Sequence, residues 1–142
     1  MKRKMAKSFC IFCSIVRKES TASLVYENDQ VLAFMDIRPV SKGHTLVIPK
    51  EHYENIFDIS ESLLTSVQIA TKKLAHAIRA ATNADGISIV QQNGRAANQE
   101  IMHFHVHIIP RFEGQKALQF SGAPEQGRKE LDETANRIKK NI

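Results

Sequence analysis

The chain has 142 residues, 42% apolar and 25% charged, with a formal net charge of +5. That is the length of one domain, enough to bury a core without disulfide staples, and no apolar run approaches the roughly 20 residues of a membrane-spanning helix. The positive charge gathers at the two ends (Lys2, Arg3, Lys4 and Lys7; Arg128, Lys129, Arg137, Lys139 and Lys140) instead of forming a stripe interleaved with aromatics. This argues against a nucleic-acid partner and for solubility with mild attraction to anions.

Residues 1–4 are basic, but no apolar segment follows them, so a secretory signal is not expected and the protein is read as cytoplasmic. The domain is taken from Met5, over residues 5–142, with a core over 9–111 and a polar, partly helical tail over 112–142. Apolar residues at 11, 12, 15 and 16 predict a short amphipathic helix over 11–18. Residues 24–27 and 31–36 read as strands joined by the turn-forming Asn28-Asp29. A loop over 39–43 leads to a third strand over 44–49. Asp58 with Glu61 three residues on resembles a capping box, and Leu64, Val67, Leu74, Ile78 and Ala81 predict a long helix ending near Asn83. Strands are predicted over 86–92 and 102–110, with a polar, glycine-bearing loop between them from Gln92 to Glu100. Strand-rich segments around one long helix indicate an α+β domain with a mostly antiparallel sheet of five strands.

The fifth strand carries the chemistry. In His103-Phe104-His105-Val106-His107-Ile108-Ile109, three of the chain's six histidines alternate with apolar residues. Alternation puts the histidines on one face of a strand, roughly 6.5–7 Å apart, and Phe104, Val106 and Ile108 on the other. The apolar face can anchor the strand in a core. The imidazoles titrate near neutral pH and can serve as nucleophile, proton donor, phosphate partner or metal ligand. A metal site on the strand itself lacks carboxylate companions, since the acidic residues close by are Glu100 and Glu113. The only two cysteines form Cys10-Ile11-Phe12-Cys13, a spacing shared by redox pairs and half zinc sites; no thioredoxin-like context surrounds it.

The histidine row matches, at every position, the H-φ-H-φ-H-φ-φ signature (φ apolar) of the histidine triad (HIT) family. Residues 11–19, Ala33-Phe34-Met35-Asp36-Ile37 and Gly43-His44-Thr45-Leu46-Val47-Ile48-Pro49-Lys50 also resemble that family in the same order. The resemblance runs from about Phe9 to Arg111 and is closest to the Hint-like branch, small nucleotide hydrolases and transferases that act as homodimers. It implies a HIT-like fold with one long central helix and a short N-terminal helix. It also implies a covalent route in which His105 attacks the α-phosphorus of a purine nucleotide conjugate and forms a nucleotidyl-imidazole. His107 would contact the phosphate and act as acid toward the leaving group. His44 and Gln99 match further residues near the phosphate. Asp36 matches the acceptor of the ribose hydroxyls, a task that suits an acceptor-only carboxylate.

By the same resemblance, Phe12, Ile15, Phe34 and Ile37 match an apolar base pocket, and Gln92 and Asn93 lie in the substrate loop. Two residues depart from the Hint-like pattern: Gln92 stands where Asn is usual and Asn98 where many members have Gly; Glu100 replaces the Ser of some relatives, and other bacterial-type members also carry Glu. Many bacterial members hold zinc with two cysteines and two histidines. Cys10, Cys13, His52 and His103 supply such a tetrahedral set here. The implied activity is cleavage of nucleoside phosphoramidates or related conjugates. The alternatives are a dinucleoside polyphosphate hydrolase and a nucleotide-binding regulatory module with incidental hydrolysis.

Overall fold

Five strands lie in the order β1-β2-β3-β5-β4, every neighbouring pair antiparallel, in a computed structural model that describes residues 10–119 and 123–142. Met5 and Phe9, the expected starts of the domain and of its core, lie outside the described residues. The architecture is α+β, as the sequence predicts. The first helix, Ile11–Val16 (α1), is capped by the Cys10 sulfur, which accepts the Cys13 N–H, and it buries Phe12, Cys13 and Ile15. It ends two residues before the predicted limit, where Lys18 takes a left-handed φ of 64°. Strands Leu24–Glu27 (β1) and Val31–Met35 (β2) meet at Asn28, whose side-chain oxygen accepts the N–H groups of Gln30 and Val31. That bond pattern is an Asx turn, the usual reason for Asn in such a hairpin.

Strand Thr45–Pro49 (β3) is buried on both faces and pairs with β2 along its whole length. The long helix Glu61–Thr82 (α2) starts at Ser60, whose hydroxyl accepts the Leu63 N–H. Asp58 is therefore not the cap; its carboxylate instead accepts the N–H groups of Glu54 and Asn55, closing the preceding loop. The helix stops at Asn83 in the left-handed conformation, as predicted. Strand Gly86–Gln91 (β4) forms one edge of the sheet, and Val106–Arg111 (β5) lies between it and β3. β5 starts four residues later than the alternation suggests, so His103 and His105 sit on extended chain that runs into the strand and only His107 lies within it.

Each face of the sheet has its own core. Val31, Ala33, Met35, Val47, Phe104, Val106 and Ile108 pack against Val67, Ala70, Leu74 and Ile78 of α2. On the other face Phe12 and Ile15 pack with Leu32, Phe34, Leu46 and Ile48. His107 is the cross-strand partner of Leu46, so it belongs to this second face. The predicted tail holds a regular helix, Arg128–Lys139 (α3), whose Leu131, Ala135 and Ile138 join the first core. The core thus extends beyond residues 9–111. A charge-rich sequence obscured this because only Leu131, Thr134, Ala135 and Ile138 of the helix are buried.

Candidate active site and metal-ligand cluster

His44, His103, His105 and His107 gather on the second face, and fixed backbone groups set their protons. The carbonyl oxygen of His103 lies 2.7 Å from His105 Nδ1. A carbonyl only accepts, so Nδ1 carries the proton and Nε2 keeps its lone pair. The Val40 N–H donates to His44 Nδ1 at 3.2 Å, which places the proton of neutral His44 on Nε2. His44 Nε2 in turn lies 2.9 Å from His107 Nδ1 and 3.4 Å from an Asp36 carboxylate oxygen. With His44 as donor, His107 Nδ1 accepts and its own proton resides on Nε2. The result is one imidazole with a bare nitrogen, His105, beside one that offers an N–H, His107. Their ring centroids are 4.9 Å apart.

Burial pushes all of these imidazoles toward the neutral form, because a charge in a low-dielectric site is costly. For His105 burial lowers the pKa, partly opposed by the bond to the His103 carbonyl. His44 is lowered to about 4 by burial and then by His105, and His107 to about 3 by burial, His105 and His44. Burial raises the Asp36 carboxyl, and the charge of Glu100 raises it further.

A glycine is required just before His44. Gly43 has φ +98°, and a Cβ there would lie 2.7 Å from the Thr82 methyl and 3.1 Å from the Pro110 ring. Close packing of the β3 entry against the end of α2 and against β5 therefore fixes where His44 starts. Asp36 is held at the end of β2: one carboxylate oxygen accepts the Arg38 N–H, and its own N–H donates to the His44 carbonyl. Phe12 stands edge-on to Phe34 and to His105, with centroids 5.3 and 5.2 Å apart. Phe12 is thus brought to the histidines, with Ile15 and Phe34 in the same apolar cluster, whereas Ile37 is outside that cluster and 42% exposed.

The loop after β4 is pinned by side-chain amides. Gln99 is buried; its oxygen accepts the Gly94 N–H, and its nitrogen donates to the carbonyls of Glu54 and Ile101. These partners are backbone groups of the loop and its surroundings, so the amide holds the loop in shape. Asn93 exchanges hydrogen bonds with Gln91 and accepts the Ile56 N–H, while the Gln92 carbonyl accepts from Gln91. Asn98 has a left-handed φ of 69°. Asparagine is among the few side chains that adopt this conformation readily.

Cys10, Cys13, His52 and His103 form a second cluster, their ligand atoms all within 4.8 Å of one another. His103 Nε2 donates to the Pro49 carbonyl at 2.8 Å, which turns a bare Nδ1 toward the sulfurs. Cys10 Sγ and Cys13 Sγ lie 3.4 and 3.6 Å from that nitrogen, Cys13 Sγ lies 3.3 Å from His52 Nδ1, and the two nitrogens are 3.2 Å apart. A tetrahedral zinc ion with its usual bond lengths spaces two nitrogens about 3.4 Å apart and a nitrogen and sulfur about 3.6 Å apart. The donor set and its spacing fit zinc. Asp36, His44 and His107 also converge within 4.8 Å. There, however, the Val40 N–H forces the His44 proton onto the nitrogen that would face the ion, so the group fits a hydrogen-bonded relay and not a cation.

The partners that sequence reading missed are backbone groups: the carbonyls of His103 and Pro49 and the N–H of Val40. Every residue carries a backbone carbonyl, and every residue but proline an N–H, so no residue type marks them.

Comparison with known proteins gives the family. The HIT domain family pattern matches residues 17–114. An uncharacterized HIT-like protein of Methanocaldococcus jannaschii is 44% identical over 130 residues, covering 92% of this chain and 98% of that protein. An adenylylsulfatase of Arabidopsis thaliana is 40% identical over 104 residues, 73% of this chain and 53% of that protein. A HIT-like protein of Bartonella henselae superposes with a TM-score of 0.90 at 38% identity, covering 98% and 100% of the two chains. A histidine triad nucleotide-binding protein of Sulfolobus tokodaii gives 0.85 at 38%, covering 93% and 91%. A zinc-bound histidine triad family protein of Mycobacterium smegmatis gives 0.82 at 34%, covering 94% and 92%.

Proposed function

The chain belongs to the HIT domain family, and on that premise we propose that it is a nucleotide hydrolase or nucleotidyl transferase that cleaves nucleoside phosphoramidates or related purine nucleotidyl conjugates through His105. The observation that carries this reading is the 2.7 Å bond from His105 Nδ1–H to the His103 carbonyl. It leaves the Nε2 lone pair as the nucleophile, and burial keeps that nitrogen unprotonated. In the first step the lone pair forms a bond to the α-phosphorus, and the bond to the leaving group breaks with its electron pair. The departing nitrogen or oxygen takes up a proton at the His107 side. A phosphate anion placed there favours the imidazolium of His107, offsetting the burial that lowers its pKa in the absence of substrate. Water then displaces His105 from phosphorus, passing its proton to the now neutral His107, and the nucleotide is released. Asp36 accepts the ribose hydroxyls, Phe12, Ile15, Phe34 and Ile37 bound the base, and the Gln92–Gln99 loop faces the phosphate.

Structural zinc at Cys10, Cys13, His52 and His103 would tie α1 to the approach of β5, and so fix Phe12 against His105. The zinc-bound neighbour and the fit of the donor spacing support this assignment. Thiol ligands suit a reducing compartment such as the cytoplasm.

A fluorogenic AMP phosphoramidate tests the reading. Wild type turns it over, and His105→Ala, folded by circular dichroism, loses about three orders of magnitude or more. Adenylate trapped on the wild type by acid quench maps to His105 by mass spectrometry. Near-normal turnover by the folded variant would overturn the mechanism.

A further inference from the structure

We propose that Gln91 and Asn93 are positioning residues for the nucleotide: a pair of amides that does not touch it holds the loop after β4 against the histidine face, and nucleotide affinity depends on that pair. This rests on the hydrolase reading above and adds two residues to it.

The register of the sheet sets the faces. Val90 pairs with His107, and Gln91 with Val106, whose side chain lies in the core on the α2 side. Side chains alternate along a strand, so Val90 shares the histidine face and Gln91 the opposite one. The same alternation brings Gln92 level with His105 on the histidine face and returns Asn93 to the side of Gln91. The hydrogen bonds agree with this arrangement. Asn93 Oδ1 accepts the Ile56 N–H at 2.7 Å, and this backbone donor fixes which way the amide faces. The same oxygen accepts from Gln91 Nε2 at 2.7 Å, and Asn93 Nδ2 donates back to Gln91 Oε1 at 2.7 Å. Gln91 Nε2 also donates to the Gln92 carbonyl at 3.1 Å. Gln92 is thus bracketed by two amides that bond to each other on the side away from the histidines.

The pair has a fixed anchor. Ile56 belongs to the turn before α2, where the Asp58 carboxylate accepts the N–H groups of Glu54 and Asn55, and the Asn55 side-chain oxygen accepts the Phe57 N–H. The far end of the loop reaches the same turn, since Gln99 Nε2 donates to the Glu54 carbonyl. One support therefore holds both ends of the loop. Without the Asn93 side chain, the tie to Ile56 and both bonds to the Gln91 amide are lost. The loop must then be ordered each time a nucleotide binds. That cost falls on affinity and not on the chemical step, because the occupied loop regains its shape.

The test compares wild type, Asn93→Ala, Gln91→Ala and the double variant, with an AMP phosphoramidate as substrate and AMP as ligand. Each single substitution should raise KM, and the AMP Kd by calorimetry, about tenfold while kcat stays within about twofold. The double variant should bind within about twofold of the weaker single one, since either change opens the same pair. Hydrogen exchange of the backbone amides of residues 92–98 should quicken in the variants and return to the wild-type rate in saturating AMP. A merely structural role would instead lower the melting temperature and leave KM and Kd unchanged. KM and Kd within about twofold of wild type in both single variants overturn the proposal, as does a fall in kcat at unchanged KM, or two effects that multiply in the double variant. Should Asn93→Ala fail to fold, Gln91→Ala, which keeps the tie to Ile56, carries the same prediction. A wild type inert toward the phosphoramidate overturns the hydrolase reading, while AMP affinity and hydrogen exchange still decide the role of the pair.

Discussion

His105 shows how a single side chain acquires its role from what surrounds it. An isolated imidazole has a pKa near 6.5 and two accessible tautomers; here burial lowers the pKa and the His103 carbonyl selects one tautomer. In the proposed reaction the neutral form is the nucleophile, and it persists as pH falls until the lowered pKa is reached. The acid limb of kcat/KM should therefore have its midpoint below the ordinary imidazole value of 6.5. A pH–rate profile that drops by half at 6.5 or above would contradict this. The alternation of histidines with apolar residues told which face each would take, because strand geometry depends on side-chain order alone. The tautomers were not legible, since they depend on a partner 63 positions away in one case and on backbone groups and chain packing in the others.

At the level of elements, Gly43 and α1 do the positioning. Gly43→Ala combines a disfavoured positive φ with a 2.7 Å approach to Thr82. A loss of ~1–3 kcal/mol is expected in urea denaturation, together with reduced turnover as His44 shifts. For α1 the expectation is about one zinc per chain by elemental analysis. Cys10→Ser with Cys13→Ser should lose that metal and lower the melting temperature by roughly 10 °C, with a smaller effect on kcat. Metal-free wild type with an unchanged melting curve would refute a structural zinc. The strands and α2 were readable to within a few residues because each has a clear period. Two features were not. The cap of α2 moved from Asp58 to Ser60 because the Asp58 carboxylate is spent on its own loop. The regular packing of α3 was hidden by its high charge, since its few buried residues pack on a core formed elsewhere in the chain.

For the molecule as a whole, α2 and β4 leave apolar surface uncovered. Ile69 on α2 is 67% exposed and Ile89 on β4 is 46% exposed. Ile89 faces the α2 side, as its cross-strand partner Ile108 does. β4 is also an edge strand whose outer hydrogen-bonding groups invite a partner. A homodimer that joins β4 to its copy and packs α2 on α2 would satisfy both. Light scattering should give twice the 16.0 kDa chain mass. Ile69→Asp with Ile89→Asp should shift it to the monomer, and a monomeric wild type at micromolar concentration would refute the assembly.

At the opposite edge β1 is covered from within. Ser23, just before β1, donates to Asp132 of α3 across 109 positions and accepts from Arg128 across 105. Leu131, Ala135 and Ile138 fill the space beside Val25 and Val31. Contacts at such separations carry a large loop-closure cost and so favour late formation. During synthesis the first hairpin and α2 precede the helix that covers them. Until α3 follows, Val25 and Val31 lack part of their apolar cover. α3 thus also hides apolar surface that a partly made chain would offer to other molecules.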